Sequence, residues 1–119
     1  MIRNILLVGM GGAVGSMMRY GVTLITNTLH GTAYLSTLIV NILGSLLMGY
    51  LIACGQHSTS PWLLFATVGL CGGFTTFSTF SMQSVTLLQQ GRYGSAALYI
   101  AASLICCLIG CFIGYKLKN

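Results

Sequence analysis

Between Arg19 and Arg92 the chain has no charged side chain, and nowhere in its 119 residues is there an Asp or a Glu. A water-soluble domain keeps about 25% of its residues charged. Here the share is 4%, all Arg and Lys, against 55% apolar residues. Such a surface has to face lipid. A bilayer-crossing helix takes about 20 mostly apolar residues, and the length accommodates four of them with short connections. The spans are expected at about 4–26, 34–54, 62–90 and 94–116, the third long and interrupted. The chain is thus read as one all-α integral membrane domain covering residues 1–119.

The opening, Arg3 followed by an apolar run and then small residues, has the outline of a secretory signal peptide. The rest of the chain is as hydrophobic as its start, so cleavage is not expected. The net charge of +5 comes from basic residues scattered singly, without the patch that nucleic acid requires; no nucleic-acid partner is expected. With four spans, Arg3, Lys116 and Lys118 share the side of the termini. Arg92 and the end of the first span, with Arg19, lie opposite. That is a weak positive-inside bias, and it leaves room for insertion in both orientations.

Loops are expected at about 27–33, 55–61 and 90–94, where Gly, Asn, Ser and Thr gather. Pro61 suits a first helical turn, since it has no N–H to lose there. Trp62, Tyr93 and Tyr115 suit the membrane interface. His30 and His57 fall in loops and are read as solvated. The five cysteines include no CxxC pair, and an odd count on apolar stretches argues against a disulfide framework. Cys107 and Cys111 stand one helical turn apart, a spacing open to a soft metal. No third ligand lies in reach on that span, so packing as small hydrophobes is expected.

Gly11/Gly15, Gly69/Gly73 and Gly110/Gly114 each have the GxxxG spacing that lets helices approach closely in lipid. Two uses are open: packing within one subunit, or a dimer interface. Four helices of this length leave no lumen, so a conduction path would need a second copy.

Without acids there is no carboxylate proton relay, metal site or general base, and enzyme activity is not expected. Arg19, deep in the first span, either snorkels to the interface or faces a wet vestibule that gathers anions. Thr37 and Asn41 lie one turn apart on the second span. An amide at mid-membrane needs partners, so Asn41 either pins two helices or offers N–H groups to an anion.

The segment Gly72–Phe80, Gly-Gly-Phe-Thr-Thr-Phe-Ser-Thr-Phe, alternates three phenylalanines with four hydroxyls directly after paired glycines. Gly72 and Gly73 permit unusual backbone angles, so the helix is expected to open there. Carbonyls freed at membrane depth face protein or a cavity and suit a small hard cation. Thr75, Ser78 and Thr79 supply hydroxyl donors. Phe77 and Phe80 either pack into the bundle or present their positive ring edges to an anion. On the fourth span Tyr99, Ser103 and Cys107 share one face, as an extended polar track or with Ser103 bonded back to its own helix.

At these residues the chain closely resembles the Fluc fluoride channels, the CrcB family. The likeness runs through residues 11–20 (Gly-Gly-Ala-Val-Gly-Ser-Met-Met-Arg-Tyr), 37–45 (Thr-Leu-Ile-Val-Asn-Ile-Leu-Gly-Ser) and 69–81 (Gly-Leu-Cys-Gly-Gly-Phe-Thr-Thr-Phe-Ser-Thr-Phe-Ser). The resemblance implies an antiparallel, dual-topology homodimer in the cell (inner) membrane with two fluoride pores. It implies a third helix broken near Gly72–Thr75, with a structural sodium ion held by the carbonyls of Gly72 and Thr75 from both subunits. By motif position the pore lining would be Phe77, Phe80, Asn41, Thr37, Ser78, Thr79, Tyr99 and Ser103, with Arg19 and position 83 at the vestibule. Two positions depart from the family pattern: Gln83 stands where a glutamate is usual, and Cys107 where the last serine of the polar track is usual. The implied activity is passive fluoride efflux that lowers fluoride toxicity. The alternatives are a small multidrug-type transporter, which the missing acids disfavour, and a non-conducting membrane assembly subunit.

Overall fold

The structure is a computed structural model and describes residues 1–56, 58 and 60–119; the expectation for His57 lies outside them. All regular structure among the described residues is helical: α1 (Ile2–Thr28), α2 (Ala33–Cys54), α3 (Pro61–Leu64), a π-helical segment (Phe65–Cys71), α4 (Gly72–Phe74), α5 (Phe77–Gln89) and α6 (Tyr93–Lys118). Together they make four spans long and apolar enough to cross a membrane, the third running from Pro61 to Gln89. The longest dimension, 47 Å, matches a bilayer with its headgroup layers, roughly 40–45 Å. Large apolar side chains such as Leu98, Leu108 and Phe112 point outward, as lipid-facing residues do. The chain is a multi-pass membrane protein.

Helix boundaries follow local chemistry. Thr32 caps α2 by accepting a hydrogen bond from the Leu35 N–H at 3.2 Å. Ser60 caps α3, and Pro61 takes the first helical position. Each cap satisfies one of the N–H groups that a helix start leaves without a partner. His30 lies exposed in the α1–α2 turn with φ of 62°.

Two closely packed helix pairs make the bundle. In the first, Gly11 and Gly15 of α1 meet Gly69, Leu70 and Gly73 of the third span so closely that a Cβ on either would strike backbone. In the second, Gly49 of α2 and Gly114 of α6 meet each other's helices in the same way, while Gly110 leaves more room, its would-be Cβ 3.4 Å from the Ile42 carbonyl oxygen. Of the two uses open to the GxxxG pairs, all three thus serve packing inside one protomer. Dispersion across such close backbones is what holds helices together in lipid, where the hydrophobic effect between them is weak. Between the pairs, the hydroxyls of Thr23 and Ser36 lie 3.0 Å apart and link α1 to α2. Tyr115 and Gln56 are hydrogen-bonded near the other end.

Candidate functional site

The third span changes course at Thr75 and Thr76. α4 stops at Phe74; Thr75 is extended (φ −87°, ψ 159°), as is Thr76 (φ −150°, ψ 115°), and α5 resumes at Phe77. Glycine freedom is not what opens the chain. Gly72 has helical angles (φ −61°, ψ −38°), and Gly91 is the glycine with positive φ among the described residues. Gly73 instead serves close approach, since a Cβ there would meet the backbone of Gly12.

Side chains replace the lost helical bonds. The Thr76 N–H donates to Asn41 Oδ1 at 2.8 Å, and Asn41 Nδ2 donates to the Thr76 carbonyl at 3.1 Å. The amide of Asn41 therefore clamps both polar groups of one extended residue, as an irregular segment at membrane depth requires. Thr76 then caps α5: its hydroxyl accepts from the Thr79 N–H at 3.2 Å and lies 3.1 Å from Thr79 Oγ1 and 3.3 Å from Ser78 Oγ. The Thr75 hydroxyl donates to the Cys71 carbonyl at 2.9 Å. In an unbroken helix the N–H groups of Thr76 and Thr79 would serve the carbonyls of Gly72 and Thr75. Here they are given to Asn41 and to the Thr76 hydroxyl, which leaves those two carbonyls without their helical donors.

A row of rings runs from this break across to α2. Phe77 and Phe80 lie 5.4 Å apart between centroids, Phe80 and Tyr99 5.4 Å, and Tyr99 and Tyr34 5.5 Å, the last pair edge-on. Phe80 and Tyr99 are buried, whereas Phe77 is 73% exposed on the protomer. The two phenylalanines predicted to act together therefore differ: one is seated in the core, the other projects outward. Tyr99 Oη donates to Gln83 Oε1 at 2.7 Å, and Gln83 Nε2 reaches the Ala33 carbonyl at 3.4 Å. The Thr37 hydroxyl donates to the same carbonyl at 3.1 Å.

Beside the break opens a cavity of about 310 Å³ whose wall includes Asn41, Ser45, Thr75, Thr76, Phe77, Phe80, Ser103 and Cys107. Ser103 Oγ is buried there without a hydrogen-bond partner, so it does not bond back to its own helix. Arg19 packs against the α4 part of the third span, half-buried, and Nε donates to the Gly73 carbonyl at 3.0 Å.

Of the residues singled out in the sequence, Asn41, Thr75, Phe77, Phe80 and Ser103 meet at one cavity. Thr37, Gln83 and Tyr99 form an adjoining hydrogen-bonded cluster beyond Phe80. Ser78 and Thr79 turn their hydroxyls toward Thr76. Arg19 is not among the residues of the cavity wall and touches the third span through Gly73. Sequence reasoning missed Thr76, the hub of the break, although Thr-Phe-Ser-Thr at 76–79 is an N-cap pattern with its hydroxyl three residues ahead of the N–H it accepts from. It also missed Tyr34, which only the tertiary pairing with Tyr99 reveals.

Fold and site together define a four-span membrane protein whose interrupted third span builds a ring- and hydroxyl-lined cleft. Residues 6–115 match the family described as CrcB-like protein, Camphor Resistance (CrcB), and the chain belongs to that family. Relatives named Fluoride-specific ion channel FluC are similar over nearly the whole length. That of Shewanella amazonensis is 40% identical over 119 residues, covering 98% of this chain and 96% of its own. That of Shewanella oneidensis is 39% identical with the same coverage. The Cereibacter sphaeroides protein is 41% identical over 115 residues, 96% of this chain and 93% of its own.

Proposed function

We propose that the protein is a fluoride-selective channel that lets the anion leave the cell passively, down its gradient, from the inner membrane. The observation that carries this reading is the cavity at the break, where the rings of Phe77 and Phe80 and the unpartnered hydroxyl of Ser103 meet in a chain free of carboxylates. A small anion that sheds water needs donors in its place. Ring edges, hydroxyls and the second amide hydrogen of Asn41 supply them without a fixed negative charge to repel it. The name borne by the relatives agrees with this chemistry. Asn41 acts first as the clamp of Thr76, and through it sets where Phe77 and Phe80 stand.

The working unit is an antiparallel homodimer in which both orientations occur. The 73% exposure of Phe77 supports a second copy, because an aromatic ring among pore residues gains a partner surface there. A structural sodium ion fits the carbonyls of Gly72 and Thr75, whose helical donors are diverted; hard carbonyl oxygens suit such a cation. When bound, it would supply positive charge that fastens the broken spans of the two protomers to each other. Arg19 and Gln83 stand toward the vestibules, with Gln83 held to Tyr99 by a neutral hydrogen bond. Liposomes holding the purified dimer should release fluoride readily and chloride hardly at all. Well-folded dimers that release no fluoride would overturn the reading.

A further inference from the structure

The cavity at the break has a second character that anion passage does not use. Three cysteines and a methionine from three elements line it: Met48 of α2, Cys71 at the end of the π-helical segment, and Cys107 and Cys111 of α6. Cys107 and Cys111 are one helical turn apart on the same wall, with side chains about 5–6 Å apart at Cβ. All five cysteines are free thiols. Ser103, on the turn before Cys107, offers the cavity a buried oxygen with no partner. On α6 alone a metal has two sulfur ligands; Met48 and Cys71 lie elsewhere on the cavity wall, and Cys71 does not join the pair as a third ligand.

We infer that this cavity is a binding site for a soft, linearly coordinating metal ion, held by the sulfurs of Cys107 and Cys111. Thiolate and thioether ligands select soft ions. No group of three His, Cys, Asp or Glu that could hold a metal occurs among the described residues, so a tetrahedral zinc site is not what this wall offers. Two thiolates suffice for mercury(II). Its binding forms two S–Hg bonds and releases the two thiol protons to solvent, with no change of oxidation state. The product is neutral, which matters in a chain without carboxylates, where an uncompensated ion at membrane depth is costly. Because Asn41, Phe77 and Phe80 line the same cavity, the bound ion obstructs the anion path. That obstruction rests on the proposed fluoride reading; the binding itself does not.

Mercury(II) chloride titrated into the purified, detergent-solubilised protein tests the binding, followed by sulfur-to-mercury charge-transfer absorption and by intact mass. One ion per protomer is expected for Cys54→Ser/Cys106→Ser, which removes the free thiols outside the cavity and leaves its wall intact. In that background, Cys107→Ser and Cys111→Ser should each weaken binding by more than the roughly 10- to 100-fold that disturbing an outer-shell partner costs a metal site. Equal binding in that background after removal of both Cys107 and Cys111, or no binding by the background protein itself, overturns the site. In liposomes, fluoride release is then compared with and without mercury(II) for each variant. Block in the unaltered chain and none in Cys107→Ser/Cys111→Ser is expected, and bound mercury with undiminished release overturns the obstruction. Absence of fluoride release before any metal is added refutes the channel reading and the obstruction, while the binding result still decides the site.

Discussion

Replacing Asn41 with alanine tests whether a side-chain amide holds the third span in its interrupted course. The variant removes two hydrogen bonds, 2.8 Å to the Thr76 N–H and 3.1 Å to its carbonyl. Each is worth about 0.5–1.5 kcal/mol net, and a buried group left unsatisfied costs about 1–3 kcal/mol more. Asn41 is half-buried, so part of that cost is relieved by water entering the cavity, and about 2–4 kcal/mol is expected to be lost locally. If Thr76 exchanges its amide hydrogen through local opening, its protection should fall by roughly 30- to 700-fold, at 1.4 kcal/mol per factor of ten. Hydrogen exchange of the protein in lipid nanodiscs reads this directly. Thr37→Val is the control, one turn away on the same helix. Its hydroxyl donates to the Ala33 carbonyl of its own helix, and its loss should leave the Thr76 exchange unaltered. Unchanged protection at Thr76 in Asn41→Ala, in folded protein, would refute the clamp.

Phe77→Ile should abolish fluoride release while leaving thermal stability of the protomer nearly unchanged, because the ring is largely exposed on it; retained flux would reduce the ring to packing. Ser103→Ala should not lower thermal stability, since its buried hydroxyl has no partner to lose, yet should slow fluoride release in the liposome assay. Gly15→Ala places a methyl against the Leu70 carbonyl and the Phe74 N–H. It should cost about 1–3 kcal/mol as overpacking does, whereas Gly94→Ala, with nothing near its Cβ, should be neutral or stabilising in the same melt.

The four spans and the membrane class were legible because lipid imposes a blunt rule: length and apolarity suffice, and long uncharged stretches cannot belong elsewhere. Most helix ends lie within a residue or two of the expected positions because loop-forming residues gather between the spans and Pro61 opens the third. The π-helical turn at Phe65–Cys71 was not legible, since nothing in that run of apolar and small residues marks a π pattern over an α one. Gly72 and Gly73 misled: Gly72 is helical, and the missing side chain of Gly73 serves a neighbour's approach, not a bend. The bend is made just beyond them by hydroxyls and by an amide from another span. Asn41 had two roles open from sequence alone; the pinning of one helix to another is made by its bonds to Thr76, 35 residues away, a pairing that no local pattern announces.

The π-helical turn also takes up a length. A segment with bonds one residue longer than the α pattern is a helix that has accommodated one extra residue. An added residue in a helix that stayed α would swing everything beyond it by about 100° about the axis; the wider π turns absorb that rotation. Removing a single residue from Phe65–Cys71 would therefore let it close to ordinary α-helix while Gly73 still faced Gly12 and the ring row still faced Tyr99. The segment is a place where the third span can lose one residue without re-aiming the break. Among homologous chains, single-residue deletions within this span should gather at these seven residues rather than between Phe77 and Gln89.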